Sequence, residues 1–318
     1  MAMKFGMMFP GQGSQSVGMM AALADRYPRV AETFAEASAV LDRDLWRLVS
    51  EGPEEDLNRT EWTQPAMLAA GVATWRVWRD AGGAEPVIMA GHSLGEYTAL
   101  VCADALDFAT AVELVAIRGR LMQQAVAEGS GAMAAILGLE DAEVEQACAA
   151  AAAAGVVEPA NFNSPGQVVV AGERRAVEEA MARAREAGAR RVVLLPVSVP
   201  SHCSLMREAA TALGTHLDRV DLRPPRIPVL HNCDVSTHAA AAGIRAALVT
   251  QMYRPVRWVE TVQAIRDAGA RGLLECGPGK VLTGLARRID RRLPAQALID
   301  PETLDQALQE WGSHGTAE

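Results

Sequence analysis

The sequence predicts an α/β protein with two domains, a large one built on a parallel sheet and a small one inserted into it. Outside residues 129–197, short apolar strands alternate with longer helical periods, as in parallel sheets whose strands are joined by helices. Within residues 129–197, strands and helices follow the order βαββαβ, which is that of a ferredoxin-like unit. We therefore expect residues 1–128 and 198–318 to form the large domain and residues 129–197 the small one.

The first half of the large domain opens with an apolar strand and continues with helical segments. In chain order we expect a strand at 3–9, helices at 28–41 and 65–81, a strand at 86–90 and a helix at 107–124. Pro65 suits the first position of its helix, because the N–H group that proline lacks has no partner there. Residues 128–131, Glu-Gly-Ser-Gly, form a break between this half and the insert.

The insert and the second half of the large domain show the same kind of pattern. The insert is expected to hold strands at 132–137, 156–162, 167–171 and 191–195 and helices at 141–154 and 173–187. The rest of the large domain is expected to hold strands at 227–231 and 271–276 and helices at 204–218, 240–253, 258–268 and 280–290. Gly155 ends the alanine-rich helix, and residues 312–318 have the composition of a loose tail.

Composition indicates a soluble globular protein with a large core, since 50% of the 318 residues are hydrophobic and 22% are charged. A net charge of −9 argues against general binding to nucleic acid or to an anionic membrane, both of which need a positive surface. Five cysteines without a CxxC pair favour reduced thiols, and thus a cytoplasmic location. The N-terminus lacks the pattern of a signal peptide, and no apolar stretch is long enough to predict a spanning helix.

A Gly-x-Ser-x-Gly motif follows the strand at 86–90 and precedes a helical segment. In a strand–turn–helix of this kind the serine, here Ser93, is held at a sharp turn with its hydroxyl exposed. The fold class is then α/β-hydrolase-like. Serine needs a base to take its proton and N–H donors to stabilise the oxyanion that forms. The N–H group of Leu94, directly after the serine, is one expected donor.

The base and the second donor must come from other loops. Of the six histidines, His202 is the best candidate for the base, because its loop joins the two domains, where a cleft is expected. An isolated histidine is more often structural than catalytic, so both interpretations stay open on this evidence. The loop Gly11-Gln-Gly-Ser-Gln15 follows the first strand and so lies at the same edge of a parallel sheet as Ser93. It lacks the lysine of a P-loop and the third glycine of a dinucleotide-binding loop.

Nine sequence blocks together resemble one family, the malonyl-CoA:acyl-carrier-protein transacylases of bacterial fatty acid synthesis. They occur in the family's order and span about residues 5–290. The blocks are Phe9-Pro-Gly-Gln-Gly-Ser-Gln15, Gly91-His-Ser-Leu-Gly-Glu96, Val115-Ala-Ile-Arg-Gly119, Gly131-Ala-Met-Ala-Ala-Ile136, Asn161-Phe-Asn-Ser-Pro-Gly166, Val199-Pro-Ser-His202, Asn232-Cys-Asp-Val235, Gln251-Met-Tyr-Arg-Pro-Val256 and Glu275-Cys-Gly-Pro-Gly-Lys280. Acyltransferase domains of modular polyketide synthases share the core motifs, but the length of this chain favours the fatty-acid enzyme.

The resemblance implies a catalytic role for several residues. Ser93 matches the nucleophile that takes the malonyl group as an ester, and His202 matches the base that later acts as acid. Gln12 and Leu94 match the residues whose backbone N–H groups bind the oxyanion. Gln251 matches the position whose backbone carbonyl orients the histidine in place of an acidic residue. The reaction implied is a ping-pong transfer from malonyl-CoA, with no permanently bound cofactor and no metal.

The resemblance also implies how the acyl group is recognised. Arg118 matches the arginine that pairs with the malonate carboxylate, for which a planar guanidinium is well suited. A helix-surface cation is the alternative, and Arg120 is the weaker candidate because it points elsewhere on the helix. Asn161 and Asn163 match positions along the thioester or pantetheine channel, with a role in forming a turn as the alternative. The choice between malonyl and methylmalonyl is left open.

The second substrate implied is holo acyl carrier protein, which is acidic and so requires local positive charge on this acidic chain. A solvated helix face is the alternative interpretation of the same residues. The candidate patch consists of Lys280, Arg287, Arg288, Arg190 and Arg191, with Arg291 and Arg292 nearby in sequence. A monomer is expected. Three other functions remain open: a discrete acyltransferase that serves a polyketide synthase; a serine thioesterase or other hydrolase, which normally uses an acidic residue behind the histidine; and a non-catalytic binding module.

Overall fold

The computed structural model describes residues 4–197 and 199–312. It has the predicted α/β class, with one parallel and one antiparallel sheet. The start of the predicted first strand at residue 3, Ser198 at the predicted domain boundary and residues 313–318 of the predicted tail lie outside the described residues.

The large sheet is parallel and has the strand order β7-β2-β1-β8-β9. Its strands are β1 (Gly6–Phe9), β2 (Ile88–Gly91), β7 (Val229–Leu230), β8 (Leu273–Glu275) and β9 (Ala295–Ala297). Met7 and Met8 of the central strand belong to different hydrophobic clusters, because successive side chains point to opposite faces of a strand. Both faces of the sheet are therefore covered, and the strands are buried.

The helices of this part of the chain cover the two faces unequally. They are α1 (Ala21–Arg26), α2 (Arg29–Leu41), α3 (Leu45–Glu51), α4 (Glu54–Leu57), α5 (Thr60–Asp80), α6 (Gly95–Cys102), α7 (Phe108–Gln124), α10 (Arg207–Leu217), α11 (Ala241–Gln251), α12 (Trp258–Asp267), α13 (Val281–Ile289) and α14 (Pro301–Trp311). Helices α12 and α13 pack on the Met8 face, and α2, α5, α6, α7 and α10 contribute to the larger cluster on the Met7 face.

The sequence prediction differs from the structure at the start of α5. The helix begins at Thr60, so Pro65 lies inside it and the prediction that it starts the helix is wrong. The additional turn is stabilised by the Thr63 hydroxyl, which donates to the carbonyls of Leu57 and Arg59. The short helices α1, α3 and α4, together with β9 and α14, were not predicted, while the other predicted elements lie within a few residues of observed ones.

The small sheet is antiparallel, with the strand order β4-β5-β3-β6. Its elements are β3 (Gly131–Leu137), α8 (Asp141–Ala151), β4 (Val157–Ser164), β5 (Gln167–Glu173), α9 (Arg174–Glu186) and β6 (Arg191–Leu194). This is the predicted βαββαβ order. Ile136, Val168 and Val170 pack against α8 and α9 on one face. Met133 and Val169 lie on the opposite face, which packs against the chain around Cys203.

Strand β4 connects the small sheet to the large one. The N–H of Phe162 donates to the carbonyl of Val256, and the N–H of Val256 donates to the carbonyl of Ala160, both at 2.9 Å. These bonds hold β4 beside the segment that precedes α12. That residues 129–197 fold as a separate domain stays a prediction.

Candidate active site

Ser93 lies at the turn between β2 and α6, in a left-handed backbone conformation with φ of +51°. The two glycines of the motif allow this turn to pack closely. A Cβ atom on Gly91 would lie 1.8 Å from the carbonyl carbon of Gly95, and one on Gly95 would lie 2.1 Å from the Phe9 carbonyl oxygen. Neither position can hold a side chain, so the predicted strand–turn–helix motif is present with Ser93 at its apex.

His202 contacts Ser93 directly, across a sequence separation of 109 residues. Its Nε2 lies 2.7 Å from the Ser93 Oγ, and its Nδ1 lies 2.7 Å from the backbone carbonyl oxygen of Gln251. A carbonyl only accepts hydrogen bonds, so Nδ1 carries the proton and Nε2 accepts from the serine hydroxyl. Burial, and next the positive charge of Arg118, lower the pKa of His202 to about 3. The imidazole is therefore neutral at pH 7.

Arg118 of α7 is buried and also reaches the serine. Its Nη2 lies 3.1 Å from the Ser93 Oγ and 3.0 Å from Gln251 Oε1, and its Nη1 lies 2.9 Å from Gln64 Oε1. All three acceptors are uncharged, and among the described residues no Asp or Glu forms an ion pair with this guanidinium. A buried cation held only by neutral groups favours an anionic ligand. Arg120 is exposed, as predicted from the helical period.

The side chain of Gln251 also belongs to the site, although the sequence indicates a role only for its backbone carbonyl. Its Oε1 accepts from Arg118, and its Nε2 donates to the backbone carbonyl of Ser93 at 3.0 Å. With its own carbonyl on His202, one buried residue thus contacts all three of the main candidates. The sequence does not assign a role to Gln64, the other side-chain acceptor of Arg118. A glutamine among the mostly apolar residues of α5 is nevertheless a pattern that could have indicated one.

These side chains open into a cavity of about 520 Å³. The walls are the loop after β1, the Ser93 turn, the inner face of the small sheet and the first turns of α13. The candidate site residues that line it are Gln12, Ser93, Leu94, Arg118, Asn161, Asn163 and His202. The backbone N–H groups of Gln12 and Leu94 donate to none of the described residues, which leaves both of them available to a ligand.

The two asparagines of β4 differ in their contacts. Asn163 Oδ1 lies 2.9 Å from Nε2 of His92, the residue before the serine, whose ring therefore points away from Ser93 as expected. Asn161 is buried and pairs with Val256 in an isolated parallel bridge. Both thus attach the small sheet to the large one in addition to lining the cavity.

The candidate cationic patch is partly assembled at the edge of the small sheet. Arg288 donates through Nη1 to Gln167 Oε1 at 2.6 Å. Gln167 is paired with Leu137 across the sheet, and Leu137 is paired with Arg191. Arg288 and Arg191 therefore lie along one edge. Leu285, one helical turn before Arg288, lines the cavity, so this edge lies close to the cavity.

Arg287 is turned away from that edge, and the other basic residues of the candidate patch are exposed. Arg287 donates to the carbonyl of Ala295 in β9, away from Gln167. The structure therefore does not bring Arg287 together with Arg288, because adjacent helical residues point about 100° apart. Lys280, Arg190, Arg291 and Arg292 are exposed.

The family model described as the acyl transferase domain matches residues 7–293. The chain belongs to this acyltransferase family. A malonyl CoA-acyl carrier protein transacylase of Salmonella typhimurium is 56% identical over 305 residues, which cover 96% of this chain and 99% of that protein. Solved structures of related proteins have the same fold as this acyltransferase.

Two solved structures illustrate the likeness. A malonyl CoA-acyl carrier protein transacylase of Coxiella burnetii has a TM-score of 0.97 and 49% identity, covering 98% of this chain and 99% of its own. A malonyl-transacylase in complex with the holo acyl-carrier protein of a type II polyketide synthase has a TM-score of 0.95 and 55% identity, covering 96% and 99%. Within the described part of this acyltransferase, no helix has the length and apolar character needed to cross a membrane.

Proposed function

We propose that this acyltransferase moves the malonyl group of malonyl-CoA to the pantetheine thiol of holo acyl carrier protein through an ester on Ser93. One observation carries the proposal: Ser93 Oγ lies 2.7 Å from His202 Nε2 and 3.1 Å from Arg118 Nη2. A nucleophile, a neutral base and a cation without an anionic partner thus meet at one point of a cavity. The three relatives described above are named malonyl transacylases, which supports the same substrate.

The first half-reaction forms the ester. His202 Nε2 takes the proton of the Ser93 hydroxyl as Oγ attacks the thioester carbon, and the carbonyl oxygen becomes an oxyanion. The N–H groups of Gln12 and Leu94 are proposed to bind that oxyanion. When it collapses, the carbon–sulfur bond breaks and the imidazolium gives its proton to the sulfur of the departing CoA. The products are malonyl-Ser93 and CoA thiol.

The second half-reaction reverses these steps with a different thiol. The pantetheine thiol of the carrier protein gives its proton to His202 as its sulfur attacks the ester carbon. The oxyanion collapses, the carbon–oxygen bond to Ser93 breaks, and the imidazolium returns the proton to Oγ. Every proton moves through His202, so the scheme requires no bound cofactor. The carbonyl of Gln251 keeps the imidazole oriented through both halves.

Recognition of the acyl group is assigned to Arg118. Its neutral acceptors hold the guanidinium in place without neutralising it, so a malonate carboxylate can supply the missing charge. An uncharged acyl group leaves the buried cation unpaired, which disfavours acetyl and similar groups. Asn161 and Asn163 are proposed to guide the pantetheine arm, since both line the cavity.

The carrier protein is proposed to dock at the edge that holds Arg288 and Arg191, close to the cavity. Either a fatty-acid or a polyketide carrier protein fits this description. A polyketide partner is a specific second candidate, because one relative was solved in complex with the acyl-carrier protein of a type II polyketide synthase.

Mass spectrometry of the intact protein tests the proposal. After exposure to a mixture of acyl-CoAs, the wild type is expected to gain one malonyl group and to lose it when holo acyl carrier protein is added. Ser93→Ala should gain nothing. Steady release of CoA without a carrier protein would instead identify a hydrolase, and absence of any adduct would indicate a binding module.

A further inference from the structure

Asn232 lies directly behind the Ser93 turn and contacts it on two sides. Its Oδ1 accepts from the Ser93 N–H at 2.7 Å, and its Nδ2 donates to the carbonyl of Gly91 at 2.7 Å. The side chain is fully buried. One amide therefore bridges the last residue of β2 and the serine itself, across a sequence separation of 139 residues.

Asn232 is in turn fixed by a buried ion pair. Its N–H donates to Glu96 Oε2 at 2.9 Å, while Glu96 Oε1 lies 2.6 Å from His231 Nδ1. Both side chains of the pair are fully buried. Burial lowers the pKa of His231, but the adjacent Glu96 carboxylate outweighs it, so that the pKa is raised overall. Because Glu96 belongs to the first turn of α6, this pair ties Asn232 to the helix that follows the serine.

The contact matters because Ser93 has an unfavourable backbone. A residue with a side chain rarely adopts a φ of +51°, and does so stably only where its surroundings fix it. Gln251 Nε2 binds the Ser93 carbonyl at 3.0 Å, and Asn232 binds its N–H. The two amides hold the serine backbone from both ends, and the direction of Oγ follows from that backbone.

We propose that Asn232 is a positioning residue for acyl transfer. Its Oδ1 fixes the Ser93 N–H and thereby aims Oγ at His202, and its Nδ2 fixes the strand end from which the turn departs. The inference rests on the proposed function, in which Ser93 is the nucleophile. This role requires the two polar groups of the Asn232 amide, and the volume of the side chain alone does not supply it.

Two substitutions of similar size separate this role from packing. Asn232→Leu fills much the same volume but removes both hydrogen bonds. Asn232→Asp preserves both while the introduced carboxyl is neutral, because its C=O can accept from Ser93 and its O–H can donate to Gly91. Once ionised, the carboxylate loses the O–H donor and faces the Gly91 carbonyl with like polarity.

The pH profile of Asn232→Asp is the decisive readout. The charged and titratable groups around this position lie on three sides: Glu96 of α6 with its partner His231; Cys233, Asp234 and Arg257, which pairs with Glu260; and His92, His202 and Arg118 on the side of Ser93. Burial and Glu96 favour the neutral carboxyl. Malonyl loading by Asn232→Asp is therefore expected to fall as pH rises through the ionisation of the new group, a limb that the wild type lacks.

Single-turnover loading from malonyl-CoA supplies the rates. Asn232→Leu is expected to lose about 100-fold in the loading rate constant, the typical cost of a nucleophile displaced by about 1 Å. KM for malonyl-CoA should change little, because Arg118 is untouched. Thr74→Ala is the control for stability: Thr74 is also fully buried and hydrogen bonded, to Ala70 within α5, and does not line the cavity.

The outcomes separate the inference from the proposed function. If the wild type takes up no malonyl group, the proposed function fails. If the wild type loads and Asn232→Leu loads as fast as Thr74→Ala, the inference is overturned. A variant of Asn232→Asp with the pH profile of the wild type overturns it too, and this arm decides the matter even where Asn232→Leu does not fold.

Discussion

The two sides of the Ser93 turn each hold a buried histidine, and the pKa values of the two histidines are shifted in opposite directions. On the front side, which faces the cavity, His202 is paired with the carbonyl of Gln251. On the rear side, behind the turn, His231 is paired with the carboxylate of Glu96. Burial and the charge of Arg118 lower the pKa of His202 to about 3, whereas Glu96 more than offsets burial at His231 and raises its pKa.

The difference shows that the partner decides what a buried histidine does. A carbonyl fixes the ring but supplies no charge, so His202 stays neutral and keeps a lone pair for the serine proton. A carboxylate favours the protonated form of the imidazole, so His231 is less suited to accept a proton than His202. The front side can therefore move protons, and the rear side gives rigidity to the turn between them.

The same contrast holds for charge. The front side contains the Arg118 guanidinium with uncharged acceptors only, while on the rear side the Glu96 carboxylate contacts His231 and favours its charged form. An anionic substrate can pair with the Arg118 guanidinium, whereas His231 already has the Glu96 carboxylate as its partner. Changes on the front side should therefore alter rate and selectivity, whereas loss of the contact between His231 and Glu96 on the rear side should alter stability.

The largest expected effect follows from removing the front histidine. His202→Ala should lower the rate of malonyl loading by about 10⁴-fold or more, as loss of the base does in other serine enzymes, with little change in the free energy of unfolding. Single-turnover mass spectrometry measures the rate. His216→Ala, a substitution of a partly exposed histidine on α10, is the control. Loading by His202→Ala within tenfold of the wild type would contradict the assigned base.

The next effect concerns selectivity on the front side. Arg118→Ala should lower kcat/KM for malonyl-CoA by roughly 100- to 1,000-fold, corresponding to about 3–4 kcal/mol for a lost buried charge pair. Uncharged acetyl-CoA should not lose in the same way, so the malonyl-to-acetyl ratio of kcat/KM is the measurement. Arg120→Ala, two residues further and exposed, should leave that ratio unchanged. An equal loss for both substrates would show that Arg118 does not read the carboxylate.

On the rear side the expected effect is on stability and depends on pH. The pKa of His231 is raised in the folded state, so its pairing stabilises the fold fully below the unfolded pKa of about 6.5 and less as pH rises through the folded pKa. Glu96→Gln should therefore destabilise the protein by about 2–3 kcal/mol near pH 6 and by less at higher pH. Urea unfolding across pH 6–9 measures the difference, whose slope cannot exceed about 1.4 kcal/mol per pH unit for one proton.

A surface pair gives the matched control for that experiment. Arg29 and Asp80 are also in contact, at 2.7 Å, but both side chains are about half exposed. Asp80→Asn should change the free energy of unfolding by less than about 1 kcal/mol. A difference for Glu96→Gln that stayed constant or grew with rising pH would contradict the raised pKa of His231.

The front side was predictable from sequence to a degree that the rear side was not. Ser93 belongs to a local motif whose two glycines predict the turn, and the resemblance implies the roles of His202 and Arg118. On the rear side, Asn232 contacts Ser93 across 139 residues of sequence, and on the front side Gln64 contacts Arg118 across 54. No local pattern relates either residue to its partner. Their contacts exist only once the two sheets and the helices have packed.

The same reason explains the errors in the fold. The apolar periods of long buried elements were sufficient to predict most strands and helices and the βαββαβ order. Helix α5 starts five residues before Pro65, and the Thr63 hydroxyl contacts the Leu57 carbonyl there, a contact that the proline preference alone does not reveal. Strand β9 has three residues and is recognisable only by its pairing with β8.

The smallest expected effect lies at the edge of the small sheet close to the cavity. Arg288 is held beside Gln167 on the edge that also carries Arg191, whereas Arg287 is turned toward β9. Arg288→Glu should raise KM for holo acyl carrier protein roughly tenfold, about 1.4 kcal/mol, because docking an acidic partner depends on charge at the rim. Loading from malonyl-CoA should not change. Arg287→Glu should have a weaker effect.

Steady-state transfer at varied carrier-protein concentration measures both constants, and Arg219→Glu provides the control. Arg219 is exposed just past the C-terminal end of α10, whose other end lies next to His202, so it carries the same charge change far from the edge that holds Arg288. An equal rise in KM for Arg219→Glu would reduce the effect to net charge. An unchanged KM for Arg288→Glu would place the docking surface elsewhere on the protein.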